Sequence, residues 1–277
     1  LSETTTSWKE LVNLPGLLRN LISRREIIRI LTWRDFAARF RGSVFGVLWA
    51  FLQPLFMMVV YTLVFSVFLK VRFGSSESPY TFAVYLLCGL LPWNTFAEGL
   101  NSSTDLIRKN ANLVKRVVFP LEVLPLNLTL VLVIQQLIGF VLLLPLAYII
   151  SGTLGWALLF MPVILLFQIL FVTGANWIWA SISVFVPDLR QATTLLTMLL
   201  MFVTPIFYPE DLIPARFQWL ITLNPIARLV SMYRDVVMSA QLPSLPEILG
   251  TGAVCLVVFM FGYVWFMRTK AIFADIV

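Results

Sequence analysis

The chain has 277 residues, 60% of them hydrophobic and only 12% charged, with a mean hydropathy of +0.91. No water-soluble domain with a polar surface reaches that balance, so the chain is an integral membrane protein. Its net charge of +6 does not mark a nucleic-acid partner, because the Lys and Arg flank apolar runs instead of forming a soluble basic face, and anionic head groups account for them.

Leu1 to Asn20 is polar, and its Pro15-Gly16 pair predicts a turn before a surface helix. From Ile22 to Arg41 (ISRREIIRILTWRDFAARFR), Ile22, Ile30, Trp33, Ala37 and Phe40 share one helical face. Arg24, Asp35 and Arg39 lie opposite, and Arg34 and Arg41 flank the apolar side. Such a helix belongs at a membrane surface. No cleavable signal peptide is expected, because about forty polar and amphipathic residues precede the first span. Ser43 to Leu69 carries no charge, and as a helix it reaches roughly 40 Å, more than a hydrocarbon core of about 30 Å. It must cross.

Lys70 to Tyr80 reads as an exposed loop, and Thr81 to Gly99 as a second span kinked by Pro92, with Glu98 near its end. Asp105 to Pro120 (DLIRKNANLVKRVVFP) sets Arg108, Lys109, Lys115 and Arg116 between two spans, which places it on the cytoplasmic side. Val123 to Pro187 is uncharged and too long for one helix, and SGTLG at Ser151 to Gly155 divides it into spans over 123–149 and 156–184. Asp188 and Arg190 make a cytoplasmic turn before a fifth span over 191–209.

The next stretch (FYPEDLIPARFQWLITLNPIARLVSMYRDVVMS) is apolar enough to enter lipid, yet it carries Arg228, Arg234 and Asp235 and is broken by Pro209, Pro214 and Pro225. A charge at the bilayer centre costs about 2.5 to 3.5 kcal/mol, so a hairpin that dips in and returns on the outer side is expected, buried against protein. A last span over 248–267 then leaves Arg268 and Lys270 inside. The expected fold is all-α integral membrane, with six transmembrane helices, an N-terminal amphipathic interface helix and a re-entrant outer hairpin between spans five and six. It forms a single transmembrane domain over 1–277: a cytoplasmic N-terminal segment over 1–42, the six-span region over 43–267 and a cytoplasmic tail over 268–277.

Chemistry on a substrate has little to work with. The chain has no histidine, and Cys88 and Cys255 sit in apolar segments without metal-ligand spacing. It carries no GxxxxGK[ST] loop, no nucleophile elbow and no HExxH pattern, so no catalytic or metal residue is expected. Movement across the membrane remains, and its energy must come from a separate ATPase.

Three stretches resemble the permeases of polysaccharide-exporting ABC transporters, the group that exports O-antigen, capsule and teichoic acid. They are WRDFAARFRGSVFGVLWAFLQPLFMMVVYTLVF at Trp33 to Phe65, LLCGLLPWNTFAEGLNSSTDLIRKNANLVKRVVFPLEVLP at Leu86 to Pro125, and TPIFYPEDLIPARFQWLITLNPIARLVSMYRD at Thr204 to Asp235. The resemblance implies a permease homodimer in the bacterial inner membrane, both termini cytoplasmic. Each copy pairs with an ABC ATPase subunit that binds ATP and Mg, and the pair extrudes an undecaprenyl-diphosphate-linked glycan, O-antigen foremost. A two-fold dimer is also expected on geometric grounds, since six helices make a thin wall for a sugar chain.

On that reading Arg34, Arg39 and Arg41 would meet the lipid diphosphate at the entrance, as guanidinium forks bind phosphate bidentately, or serve as positive-inside anchors. Asp105, Arg108, Lys109, Asn112, Lys115 and Arg116 would seat in the ATPase. Trp49, Trp93, Phe96, Trp177 and Trp179 would line the path as sugar-stacking aromatics, or belong to interfacial belts. Tyr208, Pro209, Pro225, Arg228 and Arg234 would form an outer gate. Alternatives are an ABC exporter of small amphipathic drugs or lipids, and a membrane glycosyltransferase, which would need a clustered carboxylate pair that these sparse acids do not supply.

Overall fold

Every regular element in residues 14–68, 81–114, 119–151 and 155–276, which this computed structural model describes, is helical. The continuous apolar runs dictate this, because a helix satisfies all its own backbone groups where no water can. Among the described residues, four helical stretches are long and apolar enough to cross a bilayer: Gly46–Val64, Val123–Ile150, Trp156–Phe185 and Leu245–Phe273. The loop expected over Lys70 to Tyr80 and residues 152–154 of the SGTLG break lie outside the described residues.

The described residues begin with α1 (Leu14–Ser23) and α2 (Arg25–Ala38), which meet at Arg24. Pro15 and Gly16 fall in the first turn of α1 instead of making a turn before it. Proline is well suited there, since the first helical N–H groups have no intrahelical partner. After a 3-10 turn at Gly46–Leu48, α3 (Trp49–Tyr61) runs on into π-helical turns over Thr62–Phe68.

The second long helix, α4 (Thr81–Ser103), is the centre of the molecule. It packs on α7 (Val123–Ser151), α8 (Met161–Phe185) and α11 (Pro225–Val237), which bury most of its side chains. Its polar residues Asn94, Glu98 and Asn101, in the second half, lie on the side that the chain leaves open: Asn94 and Glu98 are exposed and Asn101 is half-buried. Two one-turn helices follow, α5 (Leu106–Lys109) and α6 (Ala111–Val114). They break at Asn110, whose side chain turns back to donate to the Leu106 carbonyl at 2.8 Å.

The fifth expected span, 191–209, is shorter than the sequence pattern indicates. Helix α9 (Leu189–Val203) ends where Thr204 turns extended, ψ 128°, immediately before Pro205. A residue preceding proline is pushed out of the helical region by the pyrrolidine ring. The hairpin region then holds α10 (Gln218–Thr222) and α11, the latter capped by Asn224, which accepts from the Ile226 N–H at 3.2 Å.

The last helix, α12 (Leu245–Ile276), continues through Arg268 and Lys270 past the expected end at 267. Phe266 and Phe273, two helical turns apart, are both fully buried, so one apolar face carries the helix onward. Against α8 it makes a backbone seam. A Cβ at Gly262 would stand 2.2 Å from the Gly174 carbonyl oxygen, and one at Gly174 would stand 2.5 Å from the Val258 oxygen. Only hydrogen fits at either place, the small-residue contact by which helices associate in lipid.

Among the described residues two large apolar cores divide the bundle, and a small third one, Phe36, Ala50 and Val131, joins α2, α3 and α7. One, around Leu86, Trp93, Phe140, Ile206 and Tyr233, gathers α4, α7, α8 and α11 at the hairpin end. The other, around Leu17, Ile107, Val114, Leu121, Trp177 and Phe266, ties α1, α5 and α6 to the ends of α8 and α12.

Candidate functional site

A cavity of about 310 Å³ opens between α3, α4 and α7. Its apolar wall is Met57, Leu87, Leu90, Leu91 and Leu132; its polar wall is Gln53, Asn94, Thr95, Glu98, Asn101, Gln135 and Gln136. So many amides with one carboxylate in an apolar bundle are costly unless something hydroxyl-rich or water meets them. Behind the polar wall Gln136 and Gln168 exchange hydrogen bonds at 2.9 and 2.7 Å, and the Tyr233 hydroxyl donates to Gln168 Oε1 at 2.8 Å. That fully paired network fixes the wall in place. An adjoining groove on the exposed side of α3 is lined by Trp49, Gln53, Phe56, Met57, Val60 and Tyr61, sharing Gln53 and Met57 with the cavity.

Helix α2 lies along the same side of the bundle. Arg24 pairs with Glu122; Thr32 donates to Asn127 at 2.8 Å, and Asn127 in turn donates to Asp35 at 2.7 Å. Farther along, Arg39 donates to Glu98 at 2.6 Å and Gln135 at 3.0 Å. The partners advance together along both chains, so α2 and the first half of α7 run side by side. The face carrying Arg24, Asp35 and Arg39, expected to point away from the apolar contacts, is therefore a docking face, joined by buried Leu31 and Phe36. The apolar face is the one left open, with Ile22 at 60%, Ile30 at 61% and Trp33 at 67% exposure.

The three expected entrance arginines are thus unequal. Arg39 is committed to Glu98, and Arg34 pairs with its neighbour Asp35 at 2.8 Å. Arg41 is exposed, with no ion pair among the described residues.

The expected path aromatics divide too. Trp49 stays exposed in the groove. Trp93 and Phe96 are buried against each other and against Phe171. Trp177 is fully buried, packs on Phe259 and Tyr263, and donates to the Glu122 carbonyl at 3.0 Å. Trp93, Phe96 and Trp177 are core residues of the subunit, not lining, because the neighbouring helices enclose their rings. Trp179 is half-buried and donates to Thr193 at 2.9 Å.

At the other end of α4, Asp105 pairs with Arg190 at 3.0 Å, so the turn before α9 holds the segment carrying α5 and α6. Arg108 donates to the Ser183 carbonyl at 3.2 Å, while Lys109 and Asn112 are exposed. Lys115 and Arg116 lie outside the described residues. In the hairpin, Tyr208 accepts at its backbone carbonyl from the Tyr85 hydroxyl at 3.0 Å, and burial pushes its own phenol up from the ordinary tyrosine value. Pro209 precedes a 3-10 turn at Glu210–Leu212, and Pro225 starts α11. Arg228 faces Glu247 at 3.7 Å on the rim of a second pocket, lined also by Glu210 and Asp235.

Arg234 is a clamp. It is buried, donates to the carbonyls of Pro205, Ile206 and Tyr85 at 2.6, 3.0 and 3.3 Å, and lies 3.5 Å above the Tyr85 ring. Those carbonyls solvate its charge in the interior and fasten α11 to α4 and to the end of α9.

The family model of the ABC-2 type transporter matches residues 26–238. The chain belongs to the ABC-2 type transporter family. An O-antigen export system permease of Myxococcus xanthus, RfbA, is 31% identical over 247 residues, 87% of this chain and 91% of its own length. A Klebsiella pneumoniae permease of the same name is 30% identical over 223 residues, 78% and 82%. The polysialic acid transport protein KpsM of Escherichia coli is 24% identical over 214 residues, 76% and 81%.

The ABC-2 match runs from α2 through α11, the elements that build the cavity, its strap and the hairpin. Two features of this ABC-2 chain escaped the sequence pattern. The cavity amides had a signal, since Gln53, Gln135 and Gln136 interrupt otherwise apolar spans. Glu122, buried at 2% exposure and paired with both Arg24 and Lys270, had none, because it stands between two prolines at the edge of a span, where an acid looks ordinary.

Proposed function

We propose that this chain is the permease subunit of an ATP-driven exporter that moves a polysaccharide, best read as O-antigen on undecaprenyl diphosphate, across the bacterial inner membrane. The permease has no ATPase site of its own; two copies and two ATP- and Mg-binding partner subunits make the machine. The polar cavity beside α3 carries this reading: it sets amides and a carboxylate at membrane depth, next to a helix face bearing Trp49, Phe56 and Tyr61. Amides hydrogen-bond sugar hydroxyls while aromatic faces accept the apolar faces of the rings.

Six crossings with both termini cytoplasmic, α4 and α9 joining the four long apolar helices, put the hairpin outside and α2, α5 and α6 inside. The open apolar residues, Ile22 of α1 and Ile30 and Trp33 of α2, then meet lipid, which supports a role for this pair as an interface element. Arg41 and Arg34 meet the lipid diphosphate; Lys109 and Asn112 face the ATPase. Gln53 on the exposed stripe of α3 finds a partner across the two-fold axis or in the passage, and not in lipid tails.

The permease co-purified with its ATPase, in lipid nanodiscs, tests this. ATP hydrolysis rises on adding lipid-linked glycan and not on adding amphipathic drugs; no response to glycan, or an equal response to both, overturns the reading. Replacing Arg34 and Arg41 together with Gln lowers export while ATPase pairing persists.

A further inference from the structure

Glu122 adds an ionic tie between three elements that also meet in one apolar core. Its Oε1 pairs with Arg24, the residue at the break between α1 and α2, and its Oε2 lies 3.3 Å from Lys270 near the end of α12. Its side chain is 3% exposed, and its backbone carbonyl accepts from Trp177. A buried carboxylate between two cations is a poor device for stability alone, because apolar side chains of the same volume often serve as well or better. What it does supply is a directional tie that breaks if any one member moves off.

The neighbours say what it ties. Leu121 packs in the same apolar core as Ile107 of α5, Val114 of α6 and Leu17 of α1. A push on α5 and α6 therefore displaces the turn carrying Glu122, and Glu122 holds the pivot of α2. That helix has 14 residues, so a movement at Arg24 is delivered about 20 Å away, at Arg39. There Arg39 bridges Glu98 and Gln135 on the rim of the cavity.

We propose that Glu122 is the positioning residue through which the basal helices set the cavity rim: displacement of α5 and α6 by the ATPase pulls Arg24, and α2 carries the pull to the Arg39–Glu98 pair. This rests on the ATPase-driven reading given above. The tie passes through ionic contacts at both ends of α2, so a junction that packs equally well without charge should fold and yet lose the transmission.

The variant R24M/E122L/K270M makes that separation, read by nitroxide distances in the complete permease–ATPase complex. One label pair joins Arg29→Cys on α2 to Leu223→Cys in the hairpin, the other Asn112→Cys in α6 to Leu223→Cys; native Cys88 and Cys255 are buried and stay unlabelled. In the wild-type background, ATP with vanadate shifts both distances. In the triple variant the 112–223 distance still shifts, the 29–223 distance does not, thermal stability holds, and glycan exported per ATP falls about fivefold or more, the lower range of an allosteric coupling. If the 29–223 distance shifts as in wild type, the proposal is overturned. If the 112–223 distance is static in wild type, the ATPase contact itself is misassigned and the proposal falls with it. Should the triple variant not purify, the isosteric E122Q carries the same measurement, with the same two results deciding.

Discussion

The α8–α12 pair and the α3 face are built on opposite principles. Between α8 and α12 the backbones touch at Gly174 and Gly262, and rings such as Trp177, Phe259 and Phe266 close over the seam. Only 11% of the Gly46–Val64 span is buried within the chain, against 39% for Trp156–Phe185. The α8–α12 seam is locked by contacts that the chain makes with itself, and the α3 face is left open. A transporter needs both, a frame that does not yield and a wall that meets a partner or a cargo. The sharpest way to break the contrast is Gly262→Ala. The new methyl would meet a backbone oxygen that has no room to retreat, so the helices must part. The cost should exceed about 3 kcal/mol, the upper range for overpacking, and appear as lost folded protein in detergent by size-exclusion and thermal melting.

The boundary between frame and wall is the Arg39–Glu98 pair, with the side chains 26% and 44% exposed. An ion pair so open to solvent contributes at most about 1 kcal/mol. Glu98→Gln should therefore leave the melting temperature nearly unchanged while reducing export, because the carboxylate lines the cavity. An equal loss in both measurements would move Glu98 from the wall of the cavity to the frame.

On the open side the same logic predicts indifference within the subunit. Phe56→Ala should change the chain's stability by about 0.5 kcal/mol or less, since its side chain is mostly exposed. Phe56→Cys should form a disulfide between copies under mild oxidation, visible as a doubled mass on a non-reducing gel. Failure of cysteines at both Phe56 and Val60 to link would mean that this face meets lipid or cargo instead of a second copy.

How much of this could be read in advance follows from what a sequence pattern measures. Charge-free runs located the long helices well, because hydrocarbon imposes one rule on every residue that it touches. Helix α4 was harder to place, since its covering is protein and its polar residues answer to neighbours that composition does not reveal. A helical wheel divided α2 into two faces but assigned the polar one to the exterior. The structure shows Arg24, Asp35 and Arg39 docked on α7 and Ile22, Ile30 and Trp33 open. The aromatics misled for a related reason. Trp49 and Trp177 are alike in type and in apolar surroundings, and only tertiary contact separates the exposed ring from the enclosed one.

The smallest expected effect sharpens the contrast from the self-packed side. Asp235 on α11 is an incompletely covered acid on that side, and its carboxyl is pushed up to about 6 by burial first and then by Glu247 and Glu210, against the pull of Arg234. A folded-state value raised above the ordinary 3.8 means that the folded protein holds this proton more tightly than the unfolded chain. The destabilisation is thus fully present above pH 6 and is relieved as pH falls from about 6 towards about 4. Asp235→Asn should raise the melting temperature at pH 7.5 and flatten its dependence between those values. Because the group is half open to solvent, the gain should be about 1 °C. A larger gain would mean that the hairpin pocket is drier than its geometry shows, and that α11 belongs wholly to the frame; a loss would mean that the carboxylate holds a partner when charged.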